Sequence, residues 1–519
     1  MSKQDATTST NTSGASISMP MERSNFKKAP KGPRFWAILF VLALAGLLTA
    51  SEATITSTVL PVIVRKLGGG DNYIWAANGY FLTISIDMAM LISGRVLQGI
   101  GASGVSVLTE TVICDLVPLR ERGTYMAVVF GMISLGTSLG PLFGGLIVSN
   151  GSWRWAFYLA LPIGGPALVL LVAFLHVNYD KSNSLATKLG NLDWLGNVVF
   201  IGASSSMLIA LGWAGAEYPW SSFRVILPLV IGIVAFAGFI MLEGSRFISN
   251  PMMPLHLFTN QISAVTFALT FLHGVATMWA FYFLPVYFQG VLGATPYRSG
   301  IMLLPSILAI IPFAIIGGLL LTKVGRYKPI LVVAFALIVI GFGLFSLLDE
   351  TSSVGAWVGF QIIESAGAGL AIPTLLPALL APLTDKDTAL ATGTWAFMRS
   401  FGVTWGIAIA GVIFGSRAEQ LAASGAITDP AAAAEFLDGG AYKHATADFL
   451  NSLLVETRAE VVAVQNSSLR RSWQVAIAFA AVGFLLSVVI KEVPLRKELD
   501  SEFGMEEKRD KDDNSVTVP

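Results

Sequence analysis

Apolar runs of 18 or more residues recur from residue 35 to residue 490, and each is long enough to cross the hydrocarbon core of a bilayer as a helix. Lipid holds no water to satisfy a backbone N–H or C=O, so a chain of such runs must bond each backbone group internally. Helices do this within one segment, whereas a barrel strand needs only about ten residues to cross. Runs of this length therefore select an all-α polytopic membrane protein. Composition agrees, with 54% hydrophobic and only 13% charged residues, against roughly 25% charged in a soluble domain. The 33 Lys and Arg balance the 33 Asp and Glu, which leaves no basic field for nucleic acid. The single cysteine, Cys114, excludes a disulfide framework and a multi-cysteine metal site. It lies in an apolar run and reads as a core residue.

The expected spans are 35–62, 92–116, 124–148, 154–176, 194–213 and 223–243, then 264–288, 299–321, 329–347, 354–379, 390–415 and 473–490. Residues 1–34 hold no apolar signal segment and read as a polar tail ending in Lys27, Lys28, Lys31 and Arg34; residues 491–519 form a second charged tail. Basic residues favour the cytoplasmic side, so both tails are expected there. The same side then holds Arg120 with Arg122, Lys181 with Lys188, Arg246, Lys323 with Arg326 and Lys328, and Lys386. The long segment 416–472 is expected to be an exterior loop. On that side Asn466-Ser467-Ser468 and Asn150-Gly151-Ser152 are glycosylation sequons. Trp and Tyr near span ends, such as Trp153, Trp155, Tyr218 and Trp220, read as interfacial anchors.

No P-loop, dinucleotide fingerprint, nucleophile elbow or metal-spaced histidine cluster is present, so no catalytic residue, cofactor or metal is expected. The four histidines are scattered, and His273, well inside a span, reads as a helix-packing residue. Three stretches go beyond generic membrane helix. In Gly94-Arg95-Val96-Leu97-Gln98-Gly99-Ile100-Gly101 a guanidinium sits inside a span, at a cost of at least a few kcal/mol unless it faces a cavity or partner. In the segment from Gly136 to Gly145, Gly136, Gly140 and Gly144 recur at four-residue spacing, with Pro141 and Gly145 beside them. This makes a flat helix face that permits close packing, and Pro141 removes one backbone donor. The third stretch, Gly317-Gly318 to Gly325-Arg326, is a short basic turn between spans.

Together these stretches resemble the major facilitator superfamily, and within it the fourteen-span drug:proton antiporter branch of fungi. Arg95-x-x-Gln98-Gly99-x-Gly101 looks like the fourth-helix motif of that family, and Gly136–Gly145 like the antiporter motif of its fifth helix. Gly318, Gly325 and Arg326 look like the second-half copy of the cytoplasmic loop motif. Asp193-Trp194-Leu195-Gly196, Leu284-Pro285-Val286-Tyr287-Phe288-Gln289 and Phe397-Met398-Arg399-Ser400-Phe401-Gly402 are further matches, and the resemblance covers roughly residues 35–490. It implies two six-helix bundles related by pseudo-symmetry, at 35–176 and 244–490, with an inserted helix pair at 177–243. The implied activity is export of a drug, toxin or secondary metabolite by proton antiport. A monomer in the plasma membrane, rather than the vacuolar membrane, is the expected setting.

Acids inside spans are functional candidates by default, because they are costly to keep charged there. Glu52, Glu110 and Glu364 are three such acids, and Glu52 stands where the first-helix signature of the family commonly has Asp. With Arg95, Gln98 and Arg399 they form the candidate set for proton coupling and transport. The first half departs from the family in one respect. Compared with the second half it is about 40 residues short before the glycine pair Gly99/Gly101, the length of two spans and their turn. The first bundle is therefore expected to be incomplete. Import of a nutrient or siderophore is an alternative, which the antiporter motif disfavours. A polytopic membrane enzyme would need a His or Asp cluster at one membrane face, and a non-transporting sensor would need a long soluble tail.

Overall fold

The computed structural model describes residues 32–67, 88–150, 155–175, 190, 192–214, 218, 220–245, 248, 251, 253–384, 387–437 and 440–495. Twelve long helices dominate them: α1 (Pro33–Leu67), α2 (Met88–Leu116), α3 (Leu119–Asn150), α4 (Ala160–Phe174), α5 (Trp194–Trp213), α6 (Phe223–Glu243), α7 (Gln261–Val286), α8 (Pro296–Val324), α9 (Lys328–Phe345), α10 (Val354–Leu380), α11 (Thr388–Ala423) and α12 (Val455–Val489). Among the described residues the β structure is a single isolated bridge, Ala214 to Tyr218. Every expected span falls on one of these helices. Ten are long and apolar enough to cross a membrane. The others are α3, 32 residues rich in Gly, Ser and Thr, and α4, which has 15 residues.

The helix ends follow local chemistry. Asp193, Ser222, Asn260, Thr295 and Ser353 each accept a bond from a first-turn N–H of the following helix, which satisfies donors that a helix leaves open. Pro296 occupies the first turn of α8, and Gly325 ends that helix at φ +71°, a left-handed conformation that glycine takes without penalty. At the far end of α7 the chain continues as a π-helical turn over Tyr287–Val291, and the Tyr287 hydroxyl donates to Asp349 O at 2.8 Å.

Residues 416–472 are not the single loop expected. Helix α11 runs on to Ala423 and α12 begins at Val455, with short helices at Pro430–Ala434, Gly440–Lys443 and Ala447–Ser452 between them. Glu460 on α12 accepts both the backbone N–H and the hydroxyl of Thr428, at 2.8 and 2.9 Å, which ties the intervening segment to the helix. Asn466 therefore lies within a helix, where its amide is 3.5 Å from Glu350 Oε2.

The helices gather as two halves. Helix α1 packs against α3 and α4, and lightly against α2. In the second half α7 packs on α11 and α12, α9 on α10 and α12, and α8 on α10. Helices α5 and α6 pack on each other, with Gly232 seated against Met207 and Ala203. Their outer surfaces expose Val198, Phe223, Val234 and Met241, as expected of lipid-facing helices. Between the halves, α3 meets α8 and α10 while α2 meets α11. Among the described residues the first half thus shows four long helices against six in the second. The junction at 68–87, where the shortfall was located, lies outside the described residues, as do the tails 1–31 and 496–519.

Candidate functional site

The contact between α2 and α11 joins the halves through two aligned stripes. On α11, Thr392, Trp395 and Arg399 follow one another at spacings of three and four; on α2, Ser106, Glu110 and Cys114 recur every four. Such spacings put side chains on one helix face. Arg399 Nη2 donates to Glu110 Oε1 at 2.6 Å and to Ser106 Oγ at 3.2 Å. One turn along, the Thr392 hydroxyl donates to the Cys114 sulfur at 3.8 Å. The guanidinium also lies over two rings, 4.9 Å from the centroids of Phe130 and Trp395. Those rings meet edge to face at 6.3 Å.

Glu110 is 2% exposed, so its charge has lost bulk solvation and depends on Arg399. Removing one partner of such a buried pair typically costs about 3–5 kcal/mol, because the other charge is left uncompensated. The Trp395 indole N–H is buried and has no acceptor among the described residues, which leaves a desolvated donor beside the pair. His273 bonds Ala368 O at 3.1 Å, the packing role expected of it. Arg122 is buried and donates to Val117 O and Cys114 O at 2.9 and 2.5 Å, covering carbonyls that end α2.

The other candidates are scattered. Glu52, 3% exposed, lines a small cavity of the first half with Ser51, Leu47, Ile55, Phe143 and Ile163. Glu364, 1% exposed, lies in the seam between α9 and α10, where its Oε2 accepts from Ser365 at 3.2 Å and its Cβ abuts Gly341. Arg95 and Gln98 lie on α2, and Pro141, Gly144, Gly145 and Asn150 on α3, but the surroundings of all six are outside the described residues. Gly136 is buried, and a Cβ there would stand 2.3 Å from Leu47 O of α1, so the antiporter-like face packs on α1 at that point. Gly140 is likewise buried.

A second inter-half contact stands near the basic turn of the second half. A Cβ on Gly318 would lie 2.7 Å from Gly123 O, and the hydroxyls of Thr124 and Thr322 are 3.0 Å apart. Gly325 ends α8 beyond it, with Arg326 exposed. Sequence reading named Glu110 and Arg399 separately but missed that they form one pair, and it missed Ser106, Phe130 and Trp395. The i, i+4 spacing of Trp395 and Arg399 was the available signal.

Comparison with known proteins identifies the architecture. A family model described as Major Facilitator Superfamily matches residues 72–407, about two thirds of the chain. The chain belongs to the major facilitator superfamily. The MFS-type transporter pydD of Acremonium sp is 52% identical over 536 aligned positions, covering 96% of this chain and 94% of that one. The MFS-type efflux transporter ffsH of Aspergillus flavipes is 42% identical and covers 92% and 87%. A solved structure of the proton:xylose symporter XylE matches with TM-score 0.50 at 13% identity, over 89% of this chain and 98% of that one; at that identity the likeness concerns the fold alone. This superfamily member is thus a multi-pass membrane transporter and not an enzyme, with two packed helical halves carrying a buried Glu110–Arg399 pair between them.

Proposed function

We propose that this major facilitator exports a small organic molecule in exchange for protons, by rocking its two halves about a midplane site. The observation that carries the reading is the Glu110–Arg399 contact, a desolvated ion pair joining the halves. Kinship to proteins named efflux transporters supports the direction, and the Gly136–Gly145 face resembles the antiporter motif.

In the conformation observed, the halves touch at Gly123, Gly318, Thr124 and Thr322, beside the basic turn expected to be cytoplasmic. This contact supports reading the state as closed toward the cytoplasm. A proton arriving from outside neutralises Glu110 and removes the attraction that holds Arg399. Helices α2 and α11 then part, and the cytoplasmic end opens. Release of the proton inside and loading of the substrate complete an exchange in the direction of export. Arg399 restores the closed state by re-engaging the charged carboxylate. Glu52 and Glu364, each buried within one half, serve as further acids for proton passage or substrate contact. The substrate is amphipathic or apolar, a drug, toxin or secondary metabolite. The protein acts as a monomer in the plasma membrane, with Asn466 as its better placed candidate for glycosylation.

Deletion of the gene in its own host, followed by mass spectrometry of cells and medium, tests the function. At least one small molecule should shift from medium to cells, and wild-type protein should restore it while Glu110→Gln does not. An unchanged distribution of every compound would count against export.

A further inference from the structure

The inserted pair α5–α6 makes its main contact with the rest of the molecule through α11, the helix that carries Arg399. The contact is aromatic. Phe200 of α5 lies 4.9 Å from Phe397 and 5.8 Å from Phe401 of α11, and Phe236 of α6 stacks on Phe401 at 6.0 Å with planes 6° apart. At the far end of the seam the Trp220 indole donates to Ser416 Oγ at 3.2 Å.

Phe397 and Phe401 flank Arg399 at two residues on either side, so they project from the opposite face of α11, about 200° round the axis. On the side of α11 nearer Arg399, two glycines make close backbone contact with α7. A Cβ on Gly402 would stand 2.2 Å from Phe271 O, and one on Gly406 2.5 Å from Val275 O. Where α11 is seated on glycines it can slide and turn, although Phe271 of α7 also meets Phe401 at 5.8 Å. The contact with Phe200 and Phe236 is the ring-against-ring contact that lies directly behind the guanidinium.

We propose that the inserted helix pair is a positioning element, in which Phe200, packed against the stacked rings of Phe397 and Phe401, sets the rotation of α11 and so aims Arg399 at Glu110. Phe200 is a positioning residue: it acts through α11 and meets no transported group. The proposal rests on the reading of the Glu110–Arg399 pair given above. Its test reports helix rotation alone, so it fails or stands separately from transport.

The chain has one cysteine, Cys114, whose sulfur is 3.8 Å from the hydroxyl of Thr392. Thr392→Cys in the purified full-length protein therefore supplies a disulfide pair across α2 and α11, on the same face as Arg399. Its rate of formation under copper phenanthroline, read by maleimide-polymer labelling after denaturation, depends on how α11 is turned. Adding Phe200→Ala should slow it by about fivefold or more, since disulfide closure requires Cα atoms within roughly 7 Å and Cβ atoms that face each other. Phe200→Leu, which keeps apolar bulk, should slow it by less, and Val198→Ala, on the lipid-facing side of α5, should leave it unchanged. An unaltered rate in monodisperse Phe200→Ala protein, or equal slowing by Val198→Ala, overturns the proposal. If Phe200→Ala yields no folded protein, Phe200→Leu decides: slowing supports the proposal and an unchanged rate overturns it.

Discussion

At the scale of single residues, the energetics turn on what each side chain loses when its neighbour changes. Glu110 and Arg399 are worth little as a pair compared with what either alone would cost, because desolvation offsets most of their attraction. Arg399→Gln should therefore lower stability by about 3–5 kcal/mol, and adding Glu110→Gln should recover much of that loss. A double-mutant cycle by thermal unfolding in detergent checks this; additive losses would mean that the two groups are not coupled. Gly136 makes a different demand. With Leu47 O 2.3 Å from any added Cβ, Gly136→Ala forces α1 and α3 apart and should cost about 1–3 kcal/mol as an overpacked contact. Gly101, whose added Cβ meets nothing within 4 Å, should accept alanine with no such loss in the same assay.

At the scale of elements, the helices were legible because lipid leaves so few choices: runs such as 223–243 contain no charge between Arg224 and Glu243 and have no other stable arrangement. Helix α12 shows where this signal stops. Its first half, Val455 to Ser472, carries Glu456, Arg458, Glu460, Arg470 and Arg471, and no apolar run announces it. What holds it helical is tertiary, including the grip of Glu460 on Thr428. Glu460→Ala should speed amide hydrogen exchange at Thr428 by about tenfold, the equivalent of one lost hydrogen bond, while exchange in α9 stays unchanged. The candidate site was legible only in part, for a similar reason. Acids and an arginine within apolar spans stand out singly in a sequence, but the approach of the half-buried Arg399 to Glu110 across 289 residues is set by helix packing that no local pattern records.

At the scale of the whole molecule, the described residues include four long helices in the first half and six in the second. The alignment with the Acremonium relative runs over 536 positions, whereas 96% of this 519-residue chain is about 498 residues. About 38 aligned positions therefore face gaps in this chain. We expect the natural transcript to encode roughly 30–40 more residues between Phe81 and Leu91, which together with residues 66–91 suffice for two spans of about 20 residues each and a basic turn resembling Gly318 to Arg326. Sequencing the transcript across this junction decides it. A direct reading from Leu82 to Ala89 would mean a transporter with two helices fewer in its first bundle. Whether Glu110 holds the two halves closed at the basic-turn end can be measured without a substrate. In a Cys114→Ala background, Thr124→Cys and Thr322→Cys place two thiols where hydroxyls now stand 3.0 Å apart. Cross-linking by copper phenanthroline at neutral pH should be efficient with Glu110 and several-fold lower in yield in Glu110→Gln, whose neutral side chain imitates the protonated acid. A yield that is the same with Glu110 and with Glu110→Gln would contradict that role for Glu110.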